Sequence, residues 1–283
     1  MPSLELETGT IPYEEAGPPS GRPIVFVHGY LMGGSLWRDV SARLAARGFR
    51  CLAPTWPLGA QPAPFGPSVD LSPTGVASII ARFLDELDLS DVVLVGNDSG
   101  TALCQLVAVS APSRLGALVL TNGDAFENFP PSFFKALVVA ARSPAAFRAA
   151  IASMRTAAGR RSPLGYGMLS HGDVDALARE WVKPVFADPA VMEDLRRFTL
   201  GLRAETLVAA GAGLGSFDRP VLLPWALDDK LFPLRDAERL AAVFPDARVE
   251  TIPGSRAYSM IDVPERLTQL IGDFAAVPAG AAA

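Results

Sequence analysis

The chain has 283 residues, 49% of them hydrophobic, and a formal net charge of −5 at pH 7. No basic cluster accompanies this acidic balance, which disfavours nucleic acid and anionic membranes as partners, and no apolar run is long enough to span a bilayer. The opening residues lack the basic and apolar regions of a signal peptide, and Cys51 and Cys104 have no metal-binding spacing. We therefore expect a cytoplasmic protein with a sizeable core.

Short apolar runs alternate with helical patterns through the first half of the chain. The runs end in turn signals, as is typical of strands buried on both faces of a parallel sheet. They predict an opening strand or hairpin within residues 1–20 and strands at 23–28, 49–54, 92–95 and 115–121. Helical spacing predicts helices near 40–47, 75–87 and 99–110. This order predicts an α/β protein with a mostly parallel sheet flanked by helices and joined by right-handed crossovers.

The alternation stops after Asp124. The next segment contains only helical patterns, which is too much regular structure for a loop; they lie at 132–141, 144–156, 174–182 and 189–202. Strands then resume at 219–225 and 248–252, with helices at 237–244 and 263–274 and a tail from Pro278 that we expect to fray. We predict a core domain of residues 1–124 and 216–283 and a helical cap of residues 125–215 that excludes water from a site.

The sharpest local signal is a glycine-flanked aspartate, Asp98, in the sequence GNDSG directly after the strand at 92–95. Glycines at 96 and 100 let the strand and helix backbones pass closely, so the central side chain is held over the carboxyl end of the sheet. Two interpretations fit Asp98: a nucleophile at the apex of the turn, or the N-cap of the following helix. A carboxylate with a reference pKa of about 3.9 is ionised at neutral pH and attacks without a base.

Four features along the chain resemble the α/β-hydrolase fold superfamily. They are the His-Gly pair at 28–29, the Asp98 turn, the helical insertion and the segment from Trp225 to Pro233. An aspartate at the turn resembles the branch of haloalkane dehalogenases and epoxide hydrolases. The resemblance implies that Asp98 forms an ester with the substrate and that the backbone N–H groups of Tyr30 and Ser99 form an oxyanion hole. It also implies that no metal or organic cofactor takes part.

This superfamily hydrolyses the ester with an acid and a histidine, and here the histidine is missing. Asp229 is the best match for the acid because it lies four residues before Pro233, and Asp228 and Asp124 are the alternatives. Ala257 stands where the histidine is expected. Loss of a general base slows a reaction by about 10²- to 10⁴-fold. Three interpretations follow: an engineered replacement, a carboxylate enzyme for elimination, isomerisation or cyclisation, or a catalytically silent binding protein.

The sequence contains two histidines, and neither replaces the missing one by position. His28 is interpreted as a structural residue beside the loop that carries Tyr30. His171 is interpreted as a surface or cap residue, with a substitute base as the alternative.

Features that bear on the substrate are few. The position after the nucleophile, usually tryptophan in this branch, holds Ser99, and Tyr166 is the one tyrosine of the insertion, where epoxide hydrolases use a pair. Trp37, Phe126 and Tyr166 are candidates to line an apolar pocket, and simple core packing is their alternative role. We predict a hydrolase of the dehalogenase or epoxide hydrolase type that acts on a small to medium apolar molecule, as a monomer or homodimer.

Overall fold

A single twisted layer of strands forms the centre of the protein. The computed structural model describes residues 1–277, and the tail from Pro278 lies outside them. Within these residues the sheet has eight strands in the order β1-β2-β4-β3-β5-β6-β7-β8. The strands are β1 (Ser3–Leu6), β2 (Gly9–Ala16), β3 (Pro23–Val27), β4 (Arg50–Pro54), β5 (Val92–Asp98), β6 (Leu115–Gly123), β7 (Val221–Ala226) and β8 (Ala247–Ile252).

The sheet is parallel except at one edge. β1 pairs with β2, and β2 with β4, in antiparallel register, whereas the remaining neighbours are parallel. The residues of β5 before Asp98 and all those of β6 are buried, which explains why their sequences are continuous apolar runs instead of alternating ones. The predicted mostly parallel α/β fold is therefore confirmed.

Six α-helices accompany the sheet outside the long insertion in the described part of the chain. α1 packs against α12 and α2 against α3. α2 begins earlier than the sequence pattern indicated, because the Ser72 hydroxyl caps it by accepting a hydrogen bond from the Gly75 N–H at 3.2 Å. The helices are α1 (Arg38–Ala46), α2 (Pro73–Glu86), α3 (Ser99–Ser110), α10 (Leu234–Val243), α11 (Ser259–Asp262) and α12 (Pro264–Ala275).

The insertion between β6 and β7 contains no strand, and all of its residues are described. Two of its helices, α6 and α9, were not predicted, because glycines interrupt their apolar spacing. α9 packs on α3, which itself packs against β5 of the sheet. The end of the insertion therefore joins the layer of helices that covers the sheet. The inserted helices are α4 (Lys135–Ala140), α5 (Pro144–Ile151), α6 (Ala157–Arg161), α7 (Asp175–Ala187), α8 (Pro189–Leu200) and α9 (Ala204–Gly213).

The division into a core of residues 1–124 and 216–283 and a cap of residues 125–215 stays a proposal. Among the helices of residues 1–277, none combines the length and apolarity that crossing a membrane requires.

Candidate active site

The turn between β5 and α3 holds Asp98 in a strained backbone conformation. Its φ of 55° and ψ of −127° are rare for a residue with a side chain and cost about 1–3 kcal/mol. The flanking glycines make the turn feasible: a Cβ on Gly100 would lie 2.1 Å from the Val27 carbonyl oxygen, and one on Gly96 would lie 2.6 Å from the Gly100 carbonyl oxygen. Strain concentrated at one acidic residue is typical of a functional site.

The Asp98 carboxyl group is held by two backbone donors. Its Oδ1 accepts hydrogen bonds from the Ser99 N–H at 2.6 Å and from the Tyr30 N–H at 3.3 Å. Burial raises the pKa of Asp98, and these two hydrogen bonds oppose the rise because they stabilise the carboxylate. The pKa of Asp98 is therefore higher than the ordinary aspartate value expected from the sequence.

Ala257 lies beside this turn. It is fully buried in the loop after β8, and its carbonyl oxygen accepts a hydrogen bond from the Asn97 side-chain amide at 2.8 Å. Asn97 precedes Asp98 directly and was not singled out from the sequence. A buried polar residue inside an otherwise apolar strand was the signal that could have found it.

Neither histidine is placed to act on Asp98 in the described structure. His28 is fully buried, its Nε2 accepts the Trp56 N–H at 2.8 Å, and burial lowers its pKa to about 4. His171 is partly exposed, with Nε2 2.9 Å from the carboxylate of Asp228. His28 therefore packs as a neutral structural residue, and His171 joins the insertion to the loop after β7.

Two further acids follow the neighbouring strands. Asp124 comes directly after β6, and its backbone N–H donates to the Asp98 carbonyl oxygen at 3.2 Å. Asp229 comes after β7 and accepts the Leu231 N–H at 2.8 Å with Oδ1. Each has one buried carboxyl oxygen, Oδ1 of Asp124 and Oδ2 of Asp229, without a partner among the described residues.

Both acids are harder to ionise than usual. Burial, and then the charge of Asp98, raises the pKa of Asp124 well above its ordinary range. Burial is also the main cause that raises the pKa of Asp229, to about 6, although backbone hydrogen bonds from Leu231 and Phe232 oppose it. Asp228, the third candidate acid, is partly exposed and faces His171 instead of Asp98.

We expect Asp229→Asn to stabilise the protein near neutral pH. Between pH 3.8 and about 6 the folded carboxyl keeps its proton while the unfolded one loses it, so the stability of the parent falls as the pH rises. The gain from removing this effect is up to about 3 kcal/mol at pH 7.5 and disappears below about pH 4. Urea unfolding at both pH values measures it. Asp228→Asn is the control, and equal stability of the two variants at pH 7.5 would contradict the prediction.

Asp98 lines an apolar cavity of about 320 Å³ between the sheet and the insertion. Tyr166 lines this cavity. Trp37 and Phe126 do not: Trp37 stacks on Phe26 in the core at a ring distance of 4.9 Å, and Phe126 lies under the Arg239 guanidinium. The lining also includes Tyr30, Leu31, Met32, Phe133, Phe134, Ala136, Leu137, Ala150, Ile151, Ser153, Met154, Leu164, Gly165, Leu169 and Leu231.

Tyr258 is a further residue of this region that the sequence did not indicate. It follows Ala257, is fully buried, and its hydroxyl has no hydrogen-bond partner among the described residues. Burial first, and then the charge of Asp98, raises its pKa, so the hydroxyl keeps its proton. Nothing in its local sequence marks it, because its position depends on the packing of the loop against the insertion.

No group of three or more histidine, cysteine, aspartate or glutamate side chains within residues 1–277 is arranged to hold a metal ion.

Comparison with known proteins identifies the family. The sequence pattern of the α/β hydrolase fold family matches residues 22–264. A haloalkane dehalogenase 2 from Mycobacterium bovis is 29% identical over 277 residues, which cover 95% of this chain and 92% of that protein. The chain belongs to the α/β hydrolase fold family, and the prediction of a hydrolase with this fold is confirmed.

Solved structures agree on the fold. A haloalkane dehalogenase from Bradyrhizobium elkani superposes with a TM-score of 0.78 at 21% identity, over 96% of each chain. A thermophilic esterase from Thermogutta terrifontis gives a TM-score of 0.77 at 21% identity, over 97% of this chain and 98% of its own. Proteins named for different reactions thus share this architecture, so the chemistry has to be argued from the site itself.

Proposed function

We propose that Asp98 is the reacting carboxylate of a hydrolase of the dehalogenase or epoxide hydrolase type, acting on a small to medium apolar molecule. The observation that carries the proposal is the setting of Asp98: a strained turn presents it to an apolar cavity, while two N–H groups hold Oδ1. The other oxygen, Oδ2, takes no part in these two hydrogen bonds and is the proposed nucleophilic atom. The similarity to a haloalkane dehalogenase over 95% of the chain supports the same chemistry.

In the proposed step, Oδ2 forms a bond to an electrophilic carbon of the substrate. With an alkyl halide the carbon–halogen bond breaks and the halide leaves with the electron pair, so no proton is exchanged. With an epoxide the carbon–oxygen bond of the ring breaks, and the oxygen leaves as an alkoxide that takes a proton from solvent water. The N–H groups of Tyr30 and Ser99 then stabilise the oxyanion that forms when water attacks the resulting ester.

The second half-reaction needs a base that activates water, and Ala257 stands at the place of the usual histidine. We therefore expect the ester to form faster than it is hydrolysed and to accumulate. Asp229 or Asp124 is the proposed acid of this site. Cytoplasmic location, independence of cofactors and a monomeric or homodimeric state remain our expectations.

A second candidate is acid–base catalysis of an elimination, isomerisation or cyclisation. The observation that favours it is the pair formed by Asp98 and Asp124 at the ends of adjacent strands. Because burial and the charge of Asp98 raise the pKa of Asp124, Asp124 keeps its proton more readily than Asp98, as expected of an acid beside a base. In this reaction Asp98 removes a proton from carbon and no adduct forms.

Intact-protein mass spectrometry tests these alternatives. After incubation with 1-bromohexane or 1,2-epoxyhexane, we expect a mass increase of one hexyl or hydroxyhexyl group that maps to Asp98 by peptide analysis. The rate of adduct formation should rise with pH, because burial raises the pKa of Asp98 and only the carboxylate attacks.

A product without an adduct would support the acid–base reaction instead. Thermal stabilisation by these compounds with neither product nor adduct would mean that the protein binds apolar molecules and has lost the chemistry. An adduct at another residue would contradict the role of Asp98.

A further inference from the structure

The insertion holds the loop that carries one of the two backbone donors at Asp98. We refer to residues 29–35 as the oxyanion loop. The Tyr166 hydroxyl donates a hydrogen bond to the Leu31 carbonyl oxygen at 2.5 Å, and the Trp181 indole N–H donates to the Ser35 hydroxyl at 2.8 Å. These donors are fully or almost fully buried, so the hydrogen bonds are shielded from competing water. The oxyanion loop is thus fixed from the side of the inserted helices.

Thr199 on α8 makes a third such contact, and its direction can be assigned. The Thr199 hydroxyl donates its hydrogen to the Leu195 carbonyl oxygen at 2.7 Å. A hydroxyl has one hydrogen, so in the 2.7 Å contact between Tyr30 Oη and Thr199 Oγ1 the tyrosine is the donor. Both side chains are buried. The residue whose N–H contacts Asp98 is therefore anchored to the insertion through its own side chain.

Leu31 shows why the loop needs this support. Its φ is 55°, in the left-handed region that a branched side chain rarely adopts. Hydrogen bonds fix both sides of this residue: its N–H donates to the Leu58 carbonyl oxygen at 3.0 Å, and its carbonyl oxygen accepts from Tyr166. A strained conformation persists only where its surroundings hold it in place. One of the two hydrogen bonds that hold Leu31 comes from the insertion.

The hydrogen bond that depends on this loop is the longer of the two at Asp98. The Tyr30 N–H lies 3.3 Å from Oδ1, against 2.6 Å for the Ser99 N–H. Ser99 is fixed by the first turn of α3, whereas the Tyr30 N–H depends on the path of the oxyanion loop. A small shift of this loop therefore removes one donor and leaves the other in place.

We propose that Tyr166 and Thr199 are positioning residues, which hold the oxyanion loop so that the Tyr30 N–H reaches Asp98 only while the inserted helices are seated on the core. This inference rests on the proposed role of Asp98 as the reacting carboxylate. Its consequence is that admission of substrate by displacement of these helices also disassembles the donor pair. Both N–H donors are in place at Asp98 only while the inserted helices cover the core.

Hydrogen–deuterium exchange tests the positioning directly and needs no substrate. In Tyr166→Phe and in Thr199→Val, we expect amide exchange of the peptide covering residues 29–35 to accelerate by roughly 10-fold, because a buried hydrogen bond that fixes the loop is lost. Thr199→Ser keeps the hydroxyl and should restore the parent rate. Tyr13→Phe, which removes a buried phenol on β2 with no described hydrogen bond, is the control.

The pH profile of adduct formation with 1-bromohexane is the second measurement. Because the Tyr30 N–H lowers the pKa of Asp98, the profile of Tyr166→Phe and Thr199→Val should move toward higher pH, and those of Tyr13→Phe and Thr199→Ser should not. A purely structural weakening of the fold would leave the profile where it is. Should Tyr166→Phe fail to fold, the comparison of the valine and serine variants at 199 decides.

Exchange of residues 29–35 that is unchanged in both Tyr166→Phe and Thr199→Val would overturn the inference, as would the same acceleration in Tyr13→Phe. If the parent protein forms no adduct at all, the proposed function fails, and the exchange rates still decide whether the insertion holds the loop.

Discussion

Asp98→Asn should abolish adduct formation with alkyl halides and epoxides, with a rate loss of at least ~10⁴-fold. The amide is nearly isosteric and its oxygen still accepts the Ser99 and Tyr30 N–H groups, so the turn is preserved while the nucleophilic oxygen is lost. Loss of a nucleophile in a preorganised site has effects of this order. Mass spectrometry over several hours, at equal protein concentration and with 1-bromohexane, measures the residual rate.

Asp124→Asn is the matched control for this experiment. It removes the neighbouring carboxyl group, whose pKa burial and the charge of Asp98 raise, and leaves the nucleophile in place, so adduct formation should continue with the pH profile of the parent. Adduct formation that persists in Asp98→Asn would show that the carboxylate mechanism is wrong. Loss of activity in Asp124→Asn alone would favour the acid–base reaction.

Ala257→His should convert stalled chemistry into multiple turnover, with a gain of at least ~10²-fold in product release from the ester. Ala257 is fully buried, and its carbonyl oxygen contacts Asn97, the residue before Asp98. An imidazole at position 257 is therefore expected to lie near the Asp98 ester. Because the position is packed, we expect the larger side chain to lower stability by about 1–3 kcal/mol. The rate of alcohol release from the preformed adduct, after excess halide has been removed, measures the gain in hydrolysis, and alcohol formed in excess over the enzyme with the halide present measures multiple turnover.

Ala257→Asn is the control for size and polarity, because its amide is not a base and should leave the adduct stable. Combining Ala257→His with Asp229→Asn, and separately with Asp124→Asn, identifies the acid: the partner is the one whose loss cancels the gain. An adduct that persists in a folded Ala257→His protein would mean that more than a base is missing.

The effect of a histidine at position 257 also separates the two interpretations of the chemistry at this site. Asp229 and Asp124 both keep a buried carboxyl oxygen without a partner in the described structure, and an imidazole would supply a donor to such an atom. If a histidine at 257 restores turnover through one of these acids, the site is a hydrolase site that lacks one group. If it does not, the carboxyl pair of Asp98 and Asp124 is the better description of the chemistry.

The sequence by itself determined the framework and singled out Asp98 as the candidate reactive residue. Strands buried on both faces are continuous apolar runs, and the turn at Asp98 needs glycine at 96 and 100, so both features leave a local signal. The absence of histidine at position 257 was equally visible, because it depends on the order of motifs along the chain. The apolar strands and the glycine turn follow from backbone geometry within a few residues.

Only the tertiary structure decided which distant groups meet. Asn97 contacts Ala257 across 160 positions of sequence, and Tyr166 reaches Leu31 across 135, so no local pattern encodes either pair. Packing also removed Trp37 and Phe126 from the cavity, since aromatic spacing on its own does not distinguish core from pocket. Burial moved the pKa values of the acids for the same reason: desolvation is a property of the whole fold, not of a residue and its neighbours in the chain.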